Sequence, residues 1–192
     1  MVRPGRERLR RTVEVDETFI GGPTPGAEGR DAEGKALVVI AAEEDSKGIG
    51  RIGLHQVPDA STPSLHGFIQ QAINPGSTVH TNGWAPYQGL EKLGYVHDVT
   101  PLKGKGPQAA VDLFPRVHRV AALVKRWLLG AHQGAASPNH LDYYLDEFTF
   151  RFNRRRSASR GKLFFRLLQQ AVHVGPVIYS EIIQGEQPRH KG

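Results

Sequence analysis

The chain has 192 residues, no cysteine, and 25 Lys and Arg against 19 Asp and Glu, for a formal net charge of +6. That length can bury a sizeable single core, which excludes a disulfide-stapled mini-protein, and the lack of cysteine excludes thiol nucleophiles, Cys-ligated zinc and iron–sulfur clusters. No apolar run approaches the roughly 20 residues needed to cross a bilayer, and Met1 to Arg11 lack the apolar stretch of a secretory signal; the expectation is a soluble, cytoplasmic chain. Charge is unevenly spread. Thr12 to Gly48 hold nine acids against three bases, while the basic residues gather at Arg3 to Arg11, at Arg116, Arg119, Lys125 and Arg126, and in the acid-free run from Arg151 to Arg166. Clustered Arg beside an acidic segment suits a binder of phosphate backbones with a metal-holding centre. Charge alone leaves solvated surface faces as an equal alternative.

Thr12 to Ile20 alternates β-branched or aromatic residues with carboxylates, which predicts a strand with one apolar and one acidic face, ending at Gly21-Gly22-Pro23. Pro23 to Gly34 reads as a loop. Lys35 to Ala42 is continuously apolar and predicts a strand buried on both faces, and Gly50 to Val57 completes an antiparallel meander. Ser61 or Thr62 then caps a helix whose apolar residues run from Leu65 to Ile73 at helical spacing. Ser77 to Thr81 and Tyr95 to Thr100 predict two short strands around a short helix at Trp84 to Leu93, followed by a loop at Lys103 to Pro107. Helices are expected at Pro115 to Leu129, with Ala121 to Val124, Trp127 and Leu128 on its core side, and at Pro138 to Phe152 and Lys162 to Val172, with breaks at Gly134 and Ser157 to Gly161. This order makes a mixed α/β domain without internal repeats.

Two nucleotide-motif look-alikes fail on context. Gly48 to Gly53 spells G-x-G-x-x-G, but a strand follows where a helix is required; Gly29 to Lys35 spells G-x-x-x-x-G-K, but Ala36 replaces the Ser or Thr that would hold magnesium. Asp16 is more informative, because Asp is disfavoured in mid-strand and a carboxylate on a first strand can present oxygen to a hard divalent cation. A plain exposed strand residue is its alternative. Asn82-Gly83 is by itself a tight-turn dipeptide. His118 and Lys125, seven apart, share one helix face to within about 20°, so a metal could meet one and a phosphate the other, although a surface His beside Arg also fits. Glu147, Arg151 and Arg154 lie at i, i+4 and i+7. They form an intrahelical ion pair or, continued by Arg155, Arg156 and Arg160, a stripe that could track a DNA backbone.

Four blocks in order, VEVDETFIGG around Asp16, VHTNGWAPY around Asn82, RVHRVAALVKRWLLG around His118 and HLDYYLDEFTFRFNRR around Glu147, resemble the DDE-type transposases of bacterial insertion sequences, and within them the ISXO-like branch. The resemblance covers the chain from about Val2 to Ile183. It implies a ribonuclease-H-like fold: a mixed five-stranded sheet, its first three strands antiparallel, with flanking helices. It implies a basic segment over 1–11, a catalytic domain over 12–183 and a tail over 184–192. Asp16 then matches the first metal ligand, Asn82 stands at the place of the second, where the branch has TDGW, and His118 matches the variable third position. Lys125 matches a basic residue used near the scissile DNA end, and Glu147, Arg151 and Arg154 match a Glu-Arg-Arg signature, with Arg119, Arg126 and Arg155 beside these on the expected DNA surface. The implied chemistry is metal-dependent DNA cleavage and strand transfer: two Mg2+ or Mn2+ ions about 4 Å apart activate water or a 3′-hydroxyl for in-line displacement at phosphorus. The implied partners are element ends and target DNA, met by a homo-oligomer at the nucleoid. Asn82 in place of Asp removes a full charge from that site, and no Cys-rich or helix-turn-helix segment precedes Asp16, so the expectation is a truncated, impaired copy. The alternatives are a non-catalytic DNA-binding remnant and a host nuclease of the same fold.

Overall fold

The structure is a computed structural model that describes residues 8–21, 35–46, 48–132, 138–172 and 179. The expected loop at Pro23 to Gly34, the bases Arg3 and Arg6, the break at Gly134 and the tail over 184–192 lie outside them. Three strands form the expected meander: β1 (Thr12–Ile20), β2 (Ala36–Asp45) and β3 (Gly48–Val57), with Asp16 opposite Ile40 and Ile40 opposite Leu54. The run from Ala36 to Ala42 is buried throughout, as a central strand covered on both faces requires. G-x-G-x-x-G belongs to β3. At Gly50 an added Cβ would lie 2.9 Å from the Glu43 Cβ, so close approach of β2 selects that glycine.

Ser61 accepts from the Ser64 N–H and Pro63 occupies the first turn, which starts α1 (Thr62–Ala72) where the sequence indicates. Strand β4 (Thr78–Thr81) then pairs with β1 in parallel, and β5 (Val96–Val99) pairs in parallel with β4. The expected short helix between them is instead two 3-10 turns, Ala85–Tyr87 and Leu90–Leu93. Gly89 separates them at φ +89°, a left-handed conformation that no helix continues through. The remaining helices are α2 (Pro107–Leu113), which the sequence reading left unassigned, α3 (Pro115–His132), α4 (Leu141–Asn153) and α5 (Arg160–Ala171). Pro107 opens α2 and Pro115 opens α3, each at a position where the missing N–H is unneeded.

The strand order is β3-β2-β1-β4-β5. Strand alternation sends Val13 and Val15 of β1 to one side, where α1 and the 3-10 turns supply Leu65, Phe68, Ile69, Tyr87 and Leu90. Leu9 joins the same cluster through a parallel bridge to Ile73. The other side receives α3 and α4 through Val117, Val120, Val124, Leu128, Leu141, Leu145 and Phe148. The core side of α3 therefore includes Val117 and Val120, and Ala122, expected inward, is exposed because it lies off that stripe.

Helix α4 also closes the β3 edge. The Asn153 amide donates to the Ile52 carbonyl at 2.9 Å and accepts its N–H at 2.7 Å, Asp142 accepts the Gln56 N–H at 3.0 Å, and Arg155 donates to the Gly50 and Ile49 carbonyls. Side chains thus replace a sixth strand along an edge that would otherwise be open to other chains.

Candidate metal centre

Alternation along β1 places Glu14, Asp16 and Thr18 on the face that α3 covers. Their three environments differ. Glu14 is 1% exposed and accepts three hydrogen bonds: from the Arg116 N–H at 2.8 Å, the Val117 N–H at 3.0 Å and the Arg116 guanidinium at 2.7 Å. A carboxylate there caps the first turn of α3 and meets the positive end of its dipole. Arg116 also pairs with Glu44 and donates to the Gly48 carbonyl, joining β1, the β2–β3 turn and α3. At the far end of the row, the Lys125 ammonium donates to the Thr18 hydroxyl at 2.7 Å.

Asp16 lies between these anchors. Its Oδ2 is 3.8 Å from the Nε2 of His118, too far for a hydrogen bond, and that buried nitrogen has no hydrogen-bond partner among the described residues. Burial is the main reason that the Asp16 carboxyl is pushed up to about 7, and the charges of Glu17 and Glu14 add to it. Burial likewise holds the His118 imidazole below its ordinary value; Glu14 pulls it up and Lys125 pulls it down. Desolvation lowers Lys125 too, with Lys35 adding to the effect.

Asn82 follows the last residue of β4. The β1–β4 register ends with Glu14 opposite His80, so Asp16 and Asn82 each lie two residues beyond the last paired position of these neighbouring parallel chains. The Asn82 Oδ1 accepts the Trp84 N–H at 2.9 Å, a turn closed by its own side chain. Gly83 sits at φ +75°, and an added Cβ would lie 2.5 Å from the Val99 side chain. The turn is pinned from both ends. Buried Thr81 bonds the His97 ring at 2.8 Å and accepts the Gly83 N–H, and the buried Tyr87 hydroxyl donates to Glu17 at 2.7 Å.

The contact brings together one carboxylate and one imidazole, while the Asn82 amide oxygen is engaged in its own turn. A separation of 3.8 Å lies within the span of two ligands each about 2.1 Å from a shared ion, so Asp16 and His118 fit one divalent cation. Among the described residues no three His, Cys, Asp or Glu side chains converge as a metal cluster.

Of the basic residues on α3, Arg119 and Arg126 are exposed, whereas Arg116 is engaged inside the fold. On α4, Arg151 pairs with Glu147 at 2.7 Å and Arg154 lies 3.9 Å over the Phe150 ring. Beyond the helix end, Arg155 stacks on Phe152 while holding the β3 carbonyls, and Arg156 pairs with Asp45. The sequence alone assigns no role to Glu14 or Thr18 and counts Arg116 with a basic cluster suited to phosphate, whereas the structure spends it on Glu14 and Glu44. The signal for Glu14 was present: an acid two residues before Asp16 shares its strand face.

A mixed sheet in this order, with a carboxylate of its first strand facing a helix that follows its last, defines a ribonuclease-H-like domain. The sequence matches the ISXO2-like transposase domain over residues 8–153, most of its length, and the chain belongs to that family. No curated protein matches it. Among solved structures it is similar to the Mos1 strand transfer complex, at 17% identity and a TM-score of 0.34 over 77% of this chain and 53% of that one. The Mos1 transposase paired-end complex with the left transposon end gives 16% identity, a TM-score of 0.34 and the same coverage. The chain thus spans about half the length of the Mos1 chains that it matches. Among the described residues, no helix is long and apolar enough to cross a membrane.

Proposed function

We propose that this chain is the catalytic part of an insertion-sequence transposase, cutting and joining DNA with a divalent cation held by Asp16 and His118. The observation that carries the reading is the buried His118 Nε2, without a hydrogen bond among the described residues and 3.8 Å from a carboxylate that is itself desolvated. Two desolvated donors that do not satisfy each other suit a cation between them. When bound, Mg2+ or Mn2+ supplies charge for the phosphoryl oxygens and a more acidic attacking hydroxyl.

The chain's own residues do the rest. Asp16 and His118 bind; Glu14 and Arg116 fix the helix that carries His118. Lys125, anchored on Thr18, holds its ammonium at the open end of the row for a DNA phosphate. Arg119, Arg126, Arg151 and Arg154 track the backbone beside it, Glu147 orients Arg151, and Arg155 fastens the end of α4 to β3. DNA, as element ends and target, is the partner, and a homo-oligomer in the cytoplasm, at the nucleoid, is the working form.

Asn82 limits this site. An Asp there has two oxygens, one for the Trp84 N–H and one for a cation; the amide has one oxygen, which the turn uses, and its other atom is a donor. A two-ion centre therefore lacks its second carboxylate, and activity is impaired. The same observation favours a second reading, a DNA-binding remnant that no longer cuts. Nicking of supercoiled plasmid with and without Mn2+, beside salt-dependent DNA binding, separates the two. Metal-dependent nicking that Asp16→Asn abolishes supports the first reading; binding without nicking leaves the second.

A further inference from the structure

Trp84 is 41% exposed, carries the bulkiest side chain among the exposed apolar residues, and sits two residues beyond Asn82 on a turn that is anything but loose. Its N–H is held by Asn82 at 2.9 Å, its carbonyl accepts the Tyr87 N–H at 3.0 Å, and Tyr87 is buried. No ring or cation packs on its indole among the described residues, whereas the chain's other tryptophan, Trp127, lies 5.6 Å from Phe148 between α3 and α4. Trp84 thus keeps about two fifths of its surface in solvent, and the turn displays it within about 7 Å of chain from Asn82, which like Asp16 lies two residues beyond the last β1–β4 pair. An aromatic plane fixed beside a phosphate-handling centre is a stacking platform for a nucleobase, and only an unpaired base can present its face to it.

Resting on the DNA-cutting reading above, we propose that Trp84 stacks on an unpaired base next to the scissile phosphate, so that the site takes a frayed or opened DNA end in preference to intact duplex. Stacking fixes the strand one nucleotide from Asp16 and His118, and it is indifferent to base identity because every base has a π-face.

The test uses the full chain and two oligonucleotide duplexes of one sequence, blunt or mismatched at the terminal bases, with 2-aminopurine among the unpaired positions. Affinities come from anisotropy at fixed salt, and stacking comes from quenching of the 2-aminopurine. The wild-type protein should prefer the mismatched end by roughly 10-fold or more and quench its fluorophore. Trp84→Ala should bring the two affinities together and abolish the quenching, and Trp84→Phe should restore part of both. Far-UV circular dichroism and Trp127 emission verify that each variant is folded. Equal wild-type affinities for the two duplexes, or a preference that survives Trp84→Ala, would overturn the role of Trp84 while leaving the DNA reading in place. Binding to neither duplex would overturn that reading and the stacking site with it.

Discussion

Glu14 and Asp16 are acids two residues apart on one face of one strand, both covered by α3, and they have opposite fates. Glu14 receives three donors and is part of the architecture. Asp16 receives no side-chain donor from the described residues, faces an equally unsatisfied imidazole and is pushed up to about 7. A buried carboxylate that is fully hydrogen-bonded is a structural element, whereas a partly buried one left short beside a second desolvated donor marks a place built for something else. One helix serves both. Its first-turn N–H groups satisfy Glu14, and its next residue brings His118 over Asp16.

That contrast breaks most visibly at Asp16. Asp16→Asn should lower Mn2+-dependent nicking by at least about 100-fold, since changes one shell further from a metal already cost 10- to 100-fold. In EDTA at neutral pH the same variant should melt at or above the wild-type temperature, because it removes a desolvated acid that no described side chain supports. Glu14→Ala should do the reverse to stability. It takes the buried partner from the Arg116 guanidinium, which keeps Glu44 and the Gly48 carbonyl, and it uncaps α3, so chemical denaturation should show a loss of about 2 kcal/mol. Asn153→Ala, at the sealed β3 edge, should lose about 2 kcal/mol for two hydrogen bonds to Ile52 and leave metal binding unchanged.

Asn82→Asp sharpens the comparison from the other side. It keeps an oxygen for the Trp84 N–H and adds a charge, so nicking should rise by about 10-fold with little change in melting temperature. Unchanged nicking with the metal still bound would show that the amide is no handicap. The smallest effect is expected at Glu43. Burial raises its carboxyl, but the bonds from Arg51 and the Arg10 N–H outweigh that and hold it below 4.5. A lowered pKa adds stability above the unfolded value, and that stability is lost as pH falls through the folded one. Acid titration of the melting temperature should therefore be shallower in Glu43→Gln than in the wild-type protein.

Much of this was legible beforehand because its causes are local. Alternation in β1, the apolar run of β2 and the Ser61 cap each follow from residues within one element, and the seven-residue spacing does turn His118 and Lys125 toward the same strand. The long-range pairings were not legible. Glu14 meets Arg116 across 102 residues, and Arg155 meets Gly50 across 105, so a basic run read as a DNA-facing stripe turns out to spend two of its guanidinium groups, Arg155 and Arg156, on β3 and β2. Helix α2 was missed because its opening Pro107 also ends a Gly- and Lys-rich loop.

The most direct test of the central claim is a titration of the metal-free protein with Mn2+, followed by electron paramagnetic resonance. One ion bound per chain, lost in both Asp16→Asn and His118→Ala while each variant keeps its fold, is the predicted result. Manganese that binds undiminished to either variant would contradict a metal centre between β1 and α3.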